Sequence, residues 1–243
     1  STTKGATAMC AHLLAERGQL DFDAPVAQYW PEFATGGKQD IPLSWLLCHK
    51  SGLIDTDARM GFEEALDWDR VCTELARSTP AWEPGTQHGY HAVTYGWLVG
   101  EVVRRVSGKS LGQFFRDEFA EPLGIDFWIG LPDEQQSRVA PLIPMGGDGH
   151  PPMMLAEEGD GSDEAPSGLL EMLDSLLGPD NLIGRALAAP GGALAAENVW
   201  NEPELRSAEI PSANGVTNAS SLARLYASIV GEVDGRRLLS AST

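Results

Sequence analysis

The chain has 243 residues, 42% of them hydrophobic, which suffices to bury a real core in one large domain or two small ones. Its net charge of −18, with a pI near 4.5, repels phosphate backbones and anionic headgroups, so nucleic acid and membrane-surface partners are disfavoured. No apolar run reaches the length of about 18 residues that a membrane-spanning helix needs.

Helix signals dominate in chain order. The first helix is predicted from Ser1 to Arg17, with Ala6, Met9, Cys10, Leu13 and Leu14 at helical spacing and Gly18 as its stop. A short helix after Asp23-Ala24-Pro25 runs to Tyr29 and ends before Pro31. Thr35 to Asp40 reads as a polar loop, and Pro42 opens a further turn from Leu43 to Cys48. Phe62 to Ser78 reads as helix in two pieces around Asp67, and Trp82 to Thr86 as a Pro-Gly turn. The clearest helix follows Tyr90. Leu98, Val99, Val102, Val103 and Val106 form its apolar stripe, with Glu101, Arg104 and Arg105 opposite and Gly108 at its end.

Ser110 is placed to cap an amphipathic helix carrying Leu111, Phe114, Phe115 and Phe119. Phe127 to Ile129 is a candidate strand. Residues 144–166 are rich in Gly, Pro and acids and read as a long mobile loop. Gly168 to Leu177 reads as a short apolar helix, Gly178 to Glu197 is ambiguous, and a last helix is predicted from Asn218 to Val230. Strand-like alternation is nearly absent, and no composition break marks a domain boundary, so residues 1–243 read as one mostly α domain. Cys10, Cys48 and Cys72 are odd in number and far apart. They read as buried free thiols, which leans toward a cytoplasmic compartment without fixing it.

Chemistry concentrates in two places. Ser1-Thr2-Thr3-Lys4 puts a hydroxyl and an amine one helical turn apart, within mutual reach. A serine becomes a nucleophile when a base takes its proton, and a lysine serves as that base when burial keeps its amine neutral. The same four residues also fit a plain Ser cap followed by an exposed Lys. Tyr90, in His88-Gly89-Tyr90-His91-Ala92, follows a turn and precedes a long helix, a position that aims a phenol into a cleft. A buried tyrosine with one hydrogen bond fits that position as well. His88 and His91 bracket Tyr90 without the ligand set of a metal site, and Glu157 to Glu164 lacks the ordered spacing of a Ca²⁺ loop. No metal or cofactor is expected. Ser51, Ser167 and Ser221 lack a Gly-x-Ser-x-Gly frame.

These residues carry a resemblance to the serine β-lactamase-related family: class C β-lactamases, D-Ala-D-Ala carboxypeptidases and family VIII carboxylesterases. Ser1 to Gly5, Gly18 to Val26, Leu46 to Leu53, Pro84 to Thr86, Gly89 to His91, Val106 to Leu111 and Pro122 to Gly124 follow one another in the family's order over residues 1–130. Pro211 to Gly215 is similar to the esterase-like branch. The resemblance implies a β-lactamase/transpeptidase-like α+β parent fold, truncated here to the nucleophile helix and the helical subdomain. It implies Ser1 as the acylated nucleophile, Lys4 as its proton partner and Tyr90 as the second-motif base, with His91 and Ala92 in the substrate-binding positions that follow.

Two departures shape the expected substrate. The family's Tyr-x-Asn is Tyr90-His91-Ala92 here, and the Ala92 methyl cannot bind a substrate amide. A third-motif strand (Lys-Thr-Gly or a variant) is not seen before Thr243, nor are strands ahead of the nucleophile helix. No initiator Met precedes Ser1, which suggests a segment of a longer protein. With Ser1 first, its nitrogen is an amine and the first oxyanion donor is altered. The expectation is therefore a serine hydrolase of small carboxylic esters whose fragment has little catalytic power while its parent is active. A β-lactamase or D-Ala-D-Ala peptidase, and a catalytically silent binding scaffold, are the alternatives. The oligomeric state stays open.

Overall fold

In the computed structural model the described residues are 1–143, 177–178, 181–196 and 198–243. The acidic loop expected at 144–166, and all but the last residue of the helix expected from Gly168 to Leu177, lie outside them. Helix α1 spans Thr3–Glu16, and its periodic residues Ala6, Met9, Cys10, Leu13 and Leu14 are all buried. Gly18, at φ 69°, turns the chain away, and Gln19 N–H closes the end on Leu14 O. A left-handed residue here costs glycine nothing.

Four helices follow. Helix α2 is Val26–Tyr29, α3 is Leu43–Leu47, α4 is Phe62–Leu66 and α5 is Trp68–Arg77. The break at Asp67 falls where the sequence puts it, because the Asp67 carboxylate accepts from Arg70 N–H and caps α5. The stretch expected as a polar loop differs. Residues Pro31–Gly37 wind into 3-10 turns interrupted at Thr35 and Gly36, and Lys38 is buried with its ammonium on Ser78 O at 2.6 Å.

Helix α6, Tyr95–Ser107, packs against α1, α3 and α5 and ends at Gly108, φ 72°. Its stripe of Leu98, Val99, Val102 and Val103 has no exposed surface. Each such side chain contributes about 1.5–3 kcal/mol by leaving water. One expectation fails on this helix. Glu101, assigned to the polar face, is only 1% exposed. Its carboxylate accepts from Trp68 Nε1 and from the Nε of Arg104 and of Arg105, each at 2.7 Å. Burial pushes this carboxyl up, but the three donors outweigh it and hold the group below its ordinary range.

Ser110 caps α7, Leu111–Phe115, which continues through a π-helical turn, Arg116–Ala120, into α8, Glu121–Leu123. Strand β1, Phe127–Trp128, pairs antiparallel with β2, Val216–Thr217. Helices α9, Leu182–Ala188, and α10, Pro203–Ser207, lead to β2 and to α11, Ala219–Val230, capped by Asn218. The described residues are thus mostly α, with one two-stranded sheet. Cys10 and Cys72 are buried free thiols as expected; Cys48 is a free thiol but exposed, at the C-terminal cap of α3. Among the described residues no helix is long and apolar enough to cross a membrane.

Candidate active site

Ser1 stands just ahead of α1 and Lys4 lies in its first turn, tied by Lys4 N–H to Ser1 O at 3.1 Å. Lys4 Nζ sits 3.3 Å from Ser1 Oγ. It also reaches two main-chain oxygens, Ala92 O at 2.6 Å and Ser212 O at 3.1 Å. Carbonyl oxygens only accept, so they take two N–H bonds and leave the third direction of the nitrogen for the serine. Burial lowers the Lys4 pKa to about 8. In its neutral form the nitrogen keeps both N–H bonds to the carbonyls and turns its lone pair to the Ser1 hydroxyl.

Tyr90 completes the cluster from the far side. Its hydroxyl donates to Ser1 Oγ, and Lys4 Nζ lies 4.8 Å from its ring centre. The ring is half exposed, which fits a cleft wall rather than a core tyrosine. The segment that carries it is held by the turn after α3. His88 Nδ1 bonds Cys48 O at 3.0 Å, and Gly85 N–H donates to Lys50 O at 3.0 Å. A Cβ at Gly89 would stand 2.2 Å from the Trp82 ring, so any other residue there requires that ring to shift.

His91 and Ala92, expected to face substrate, have their side chains in the interior. His91 Nδ1 donates to Gly89 O at 2.6 Å, which leaves Nε2 to accept from Ser51 Oγ at 2.8 Å. The imidazole therefore braces the turn instead of lining the cleft. Ala92 meets the site through its main-chain oxygen on Lys4. Burial holds both His49 and His91 down near pKa 4, so neither ring is charged at neutral pH beside the lysine.

The segment 210–215, singled out by its resemblance to the esterase-like branch, supplies a main-chain partner for Lys4 to which the sequence reading assigned no role. Thr7 Oγ1 donates to Pro211 O at 2.5 Å, Ser212 Oγ donates to Val93 O at 2.7 Å, and Gly215 N–H donates to Thr3 Oγ1 at 3.0 Å. These bonds stitch the segment to α1 and to Val93 just ahead of α6, and deliver Ser212 O to Lys4. The α6 backbone comes this close because residue 96 is Gly, where a Cβ would lie 2.6 Å from Ser212 N. A recess of about 400 Å³ opens beside this segment, lined in part by Arg138, Trp200, Ala213, Gly215 and Val216. Among the described residues no group of three or more His, Cys, Asp or Glu is placed to hold a metal ion.

The whole sequence, residues 1–243, matches the Beta-lactamase family. The chain belongs to the β-lactamase family. Esterase/beta-lactamase LipL of Mycobacterium tuberculosis is 37% identical over 99% of this chain and 52% of its own length. A penicillin-binding protein homologue from Caulobacter crescentus is 34% identical, with a TM-score of 0.76 over all of this chain and 58% of that one. A family VIII carboxylesterase is 36% identical, with a TM-score of 0.78 and the same coverage. The chain thus spans a little over half the length of these β-lactamase relatives and shares their fold over all of that span.

Proposed function

We propose that this chain carries the nucleophile half of a serine hydrolase that cleaves small carboxylic esters through an acyl-enzyme on Ser1. The observation that supports it is the meeting of Lys4 Nζ and the Tyr90 hydroxyl on one oxygen, Ser1 Oγ. The Lys4 amine takes the proton as Ser1 Oγ attacks the ester carbonyl, and the Tyr90 hydroxyl protonates the departing alkoxide. Water then gives its proton to the Tyr90 oxygen and attacks the acyl carbon. The Ser1 oxygen leaves with the proton held by Lys4, which returns every group to its starting state.

Two facts favour esters over β-lactams. Ala92 presents a buried methyl where the β-lactamase motif has an amide, so nothing at that position grips an acylamino side chain. Two of the relatives bear esterase names. Cleavage of β-lactam or D-Ala-D-Ala amides is the second reading, motivated by the β-lactamase and penicillin-binding names among the same relatives. The test offers the whole protein that contains this chain a chromogenic short-chain ester, a chromogenic cephalosporin and a D-Ala-D-Ala peptide, with Ser1→Ala as control. Ester cleavage lost in Ser1→Ala is expected. Cephalosporin opening with the ester untouched reverses the order, and no covalent turnover at Ser1 with any of them removes the hydrolase.

A further inference from the structure

His49 occupies the left-handed region at φ 62°, one of two non-glycine residues with positive φ among the described residues. Such a conformation is unfavourable for an L-residue and persists where surrounding contacts impose it. The contacts are specific. Its main-chain oxygen accepts from Gly89 N–H at 3.2 Å, and its Nδ1 accepts from His91 N–H at 3.2 Å. Those two amides flank Tyr90 on either side. The His49 ring also meets the Tyr90 ring edge-on, 5.1 Å between centres, with Tyr95 at 5.3 Å and His91 at 5.4 Å. Behind it, the His91–Ser51 bond closes the same turn.

We infer that His49 is the positioning residue for the Tyr90 phenol, a two-point clamp on the amides at 89 and 91 whose imidazole backs the tyrosine ring and holds its hydroxyl on Ser1. Nδ1 must carry no proton to accept from His91, so the ring is the neutral Nε2–H tautomer. The left-handed backbone is what lets one residue aim its carbonyl and its ring nitrogen at the same tripeptide. Its effect on reaction rate rests on the hydrolase reading; the clamp itself does not.

The test separates the two. His49→Gly keeps the backbone conformation and the carbonyl bond but removes the imidazole. His49→Asn tolerates the same conformation and restores an acceptor oxygen. With four tyrosines in the chain, Tyr90→Phe assigns the Tyr90 signal in an NMR spectrum of isotope-labelled tyrosine. The expected result is a Tyr90 signal displaced in both variants by loss of the neighbouring ring, and a His91 amide that exchanges faster in His49→Gly and is protected again in His49→Asn. Fluorophosphonate labelling of Ser1 falls about 10²-fold in the Gly variant, the scale of a catalytic group misplaced by about 1 Å. A His91 amide that exchanges no faster in His49→Gly, or no recovery of its protection with Asn, overturns the clamp. Should His49→Gly not fold, amide exchange in the unaltered protein decides: the Gly89 and His91 amides are expected to be protected, and fast exchange of either overturns it. Absence of Ser1 labelling in the unaltered protein strikes the hydrolase reading, while the NMR and exchange results still judge the clamp.

Discussion

Lys4 Nζ lies closer to the main-chain oxygen of Ala92, at 2.6 Å, than to the hydroxyl of Ser1, at 3.3 Å. The backbone of the second motif thus holds the amine in place without spending a charged partner on it. A carboxylate there would keep the lysine protonated. Burial lets it lose its proton near pH 8 even with two carbonyls as acceptors.

That arrangement sets a pH dependence. The base form of Lys4 increases as pH rises through about 8, so the rate of Ser1 acylation rises over the same interval and levels off above it. Initial rates of fluorophosphonate labelling from pH 6 to pH 10 measure this. A rate already flat at pH 6 would mean that a different base serves Ser1.

Gly96→Ala is expected to damage the site from a distance. The new Cβ would stand 2.6 Å from Ser212 N and 2.8 Å from Pro211 N, both main-chain atoms that yield only if the segment moves. Overpacking of this kind costs about 1–3 kcal/mol. Moving Ser212 also withdraws an acceptor from Lys4. Thermal unfolding and the labelling rate should fall together, whereas Gly108→Ala, where a Cβ meets nothing within 4 Å but φ is 72°, should lower stability alone.

Much of this was legible in the residue order. The stripes of α1 and α6, the break at Asp67, the cap at Ser110 and the helix from about Asn218 follow from spacing and from side chains that compete for helix ends. Ser1, Lys4 and Tyr90 stood out because their types carry chemistry. Three features did not. Glu101 reads as a solvent-facing charge because a sequence cannot show that Trp68, 33 positions upstream, and two arginines close over it. Ser212 contributes a carbonyl, a group every residue has, so its type held no signal. The two residues after Tyr90, His91 and Ala92, suggested side chains facing substrate, but the His91–Ser51 bond turns His91 inward.

Glu101→Ala should test how much that buried carboxylate holds together. Its removal takes the acceptor from Trp68 Nε1 and leaves Arg104 with Asp69 and Arg105 with Glu32 as their remaining carboxylate partners at the junction of α5 and α6. The arginines reach solvent, so the loss should fall at the low end for a broken buried pair, about 3 kcal/mol in urea unfolding. An unchanged midpoint would show the cluster to be energetically idle.

Acid should destabilise the chain through its buried histidines. His49 and His91 have folded pKa values near 4 against an ordinary 6.5, so between these limits the unfolded chain binds more protons than the folded one. Stability therefore rises with pH across that window, is fully present above 6.5, and is lost as pH falls toward 4. The fully buried His91 dominates, with a contribution on the order of 3 kcal/mol. Urea midpoints at pH 4.5, 5.5 and 7 measure the slope, and His91→Gln should flatten it.

The central claim is that Ser1 is made nucleophilic by Lys4. The most direct measurement is intact-protein and peptide mass spectrometry after a brief fluorophosphonate exposure, comparing the unaltered chain with Lys4→Ala. One phosphonyl group on Ser1 is predicted, its rate of appearance falling about 10²–10⁴-fold without the amine. A group on any other serine, or Ser1 labelled equally fast in Lys4→Ala, would contradict the account.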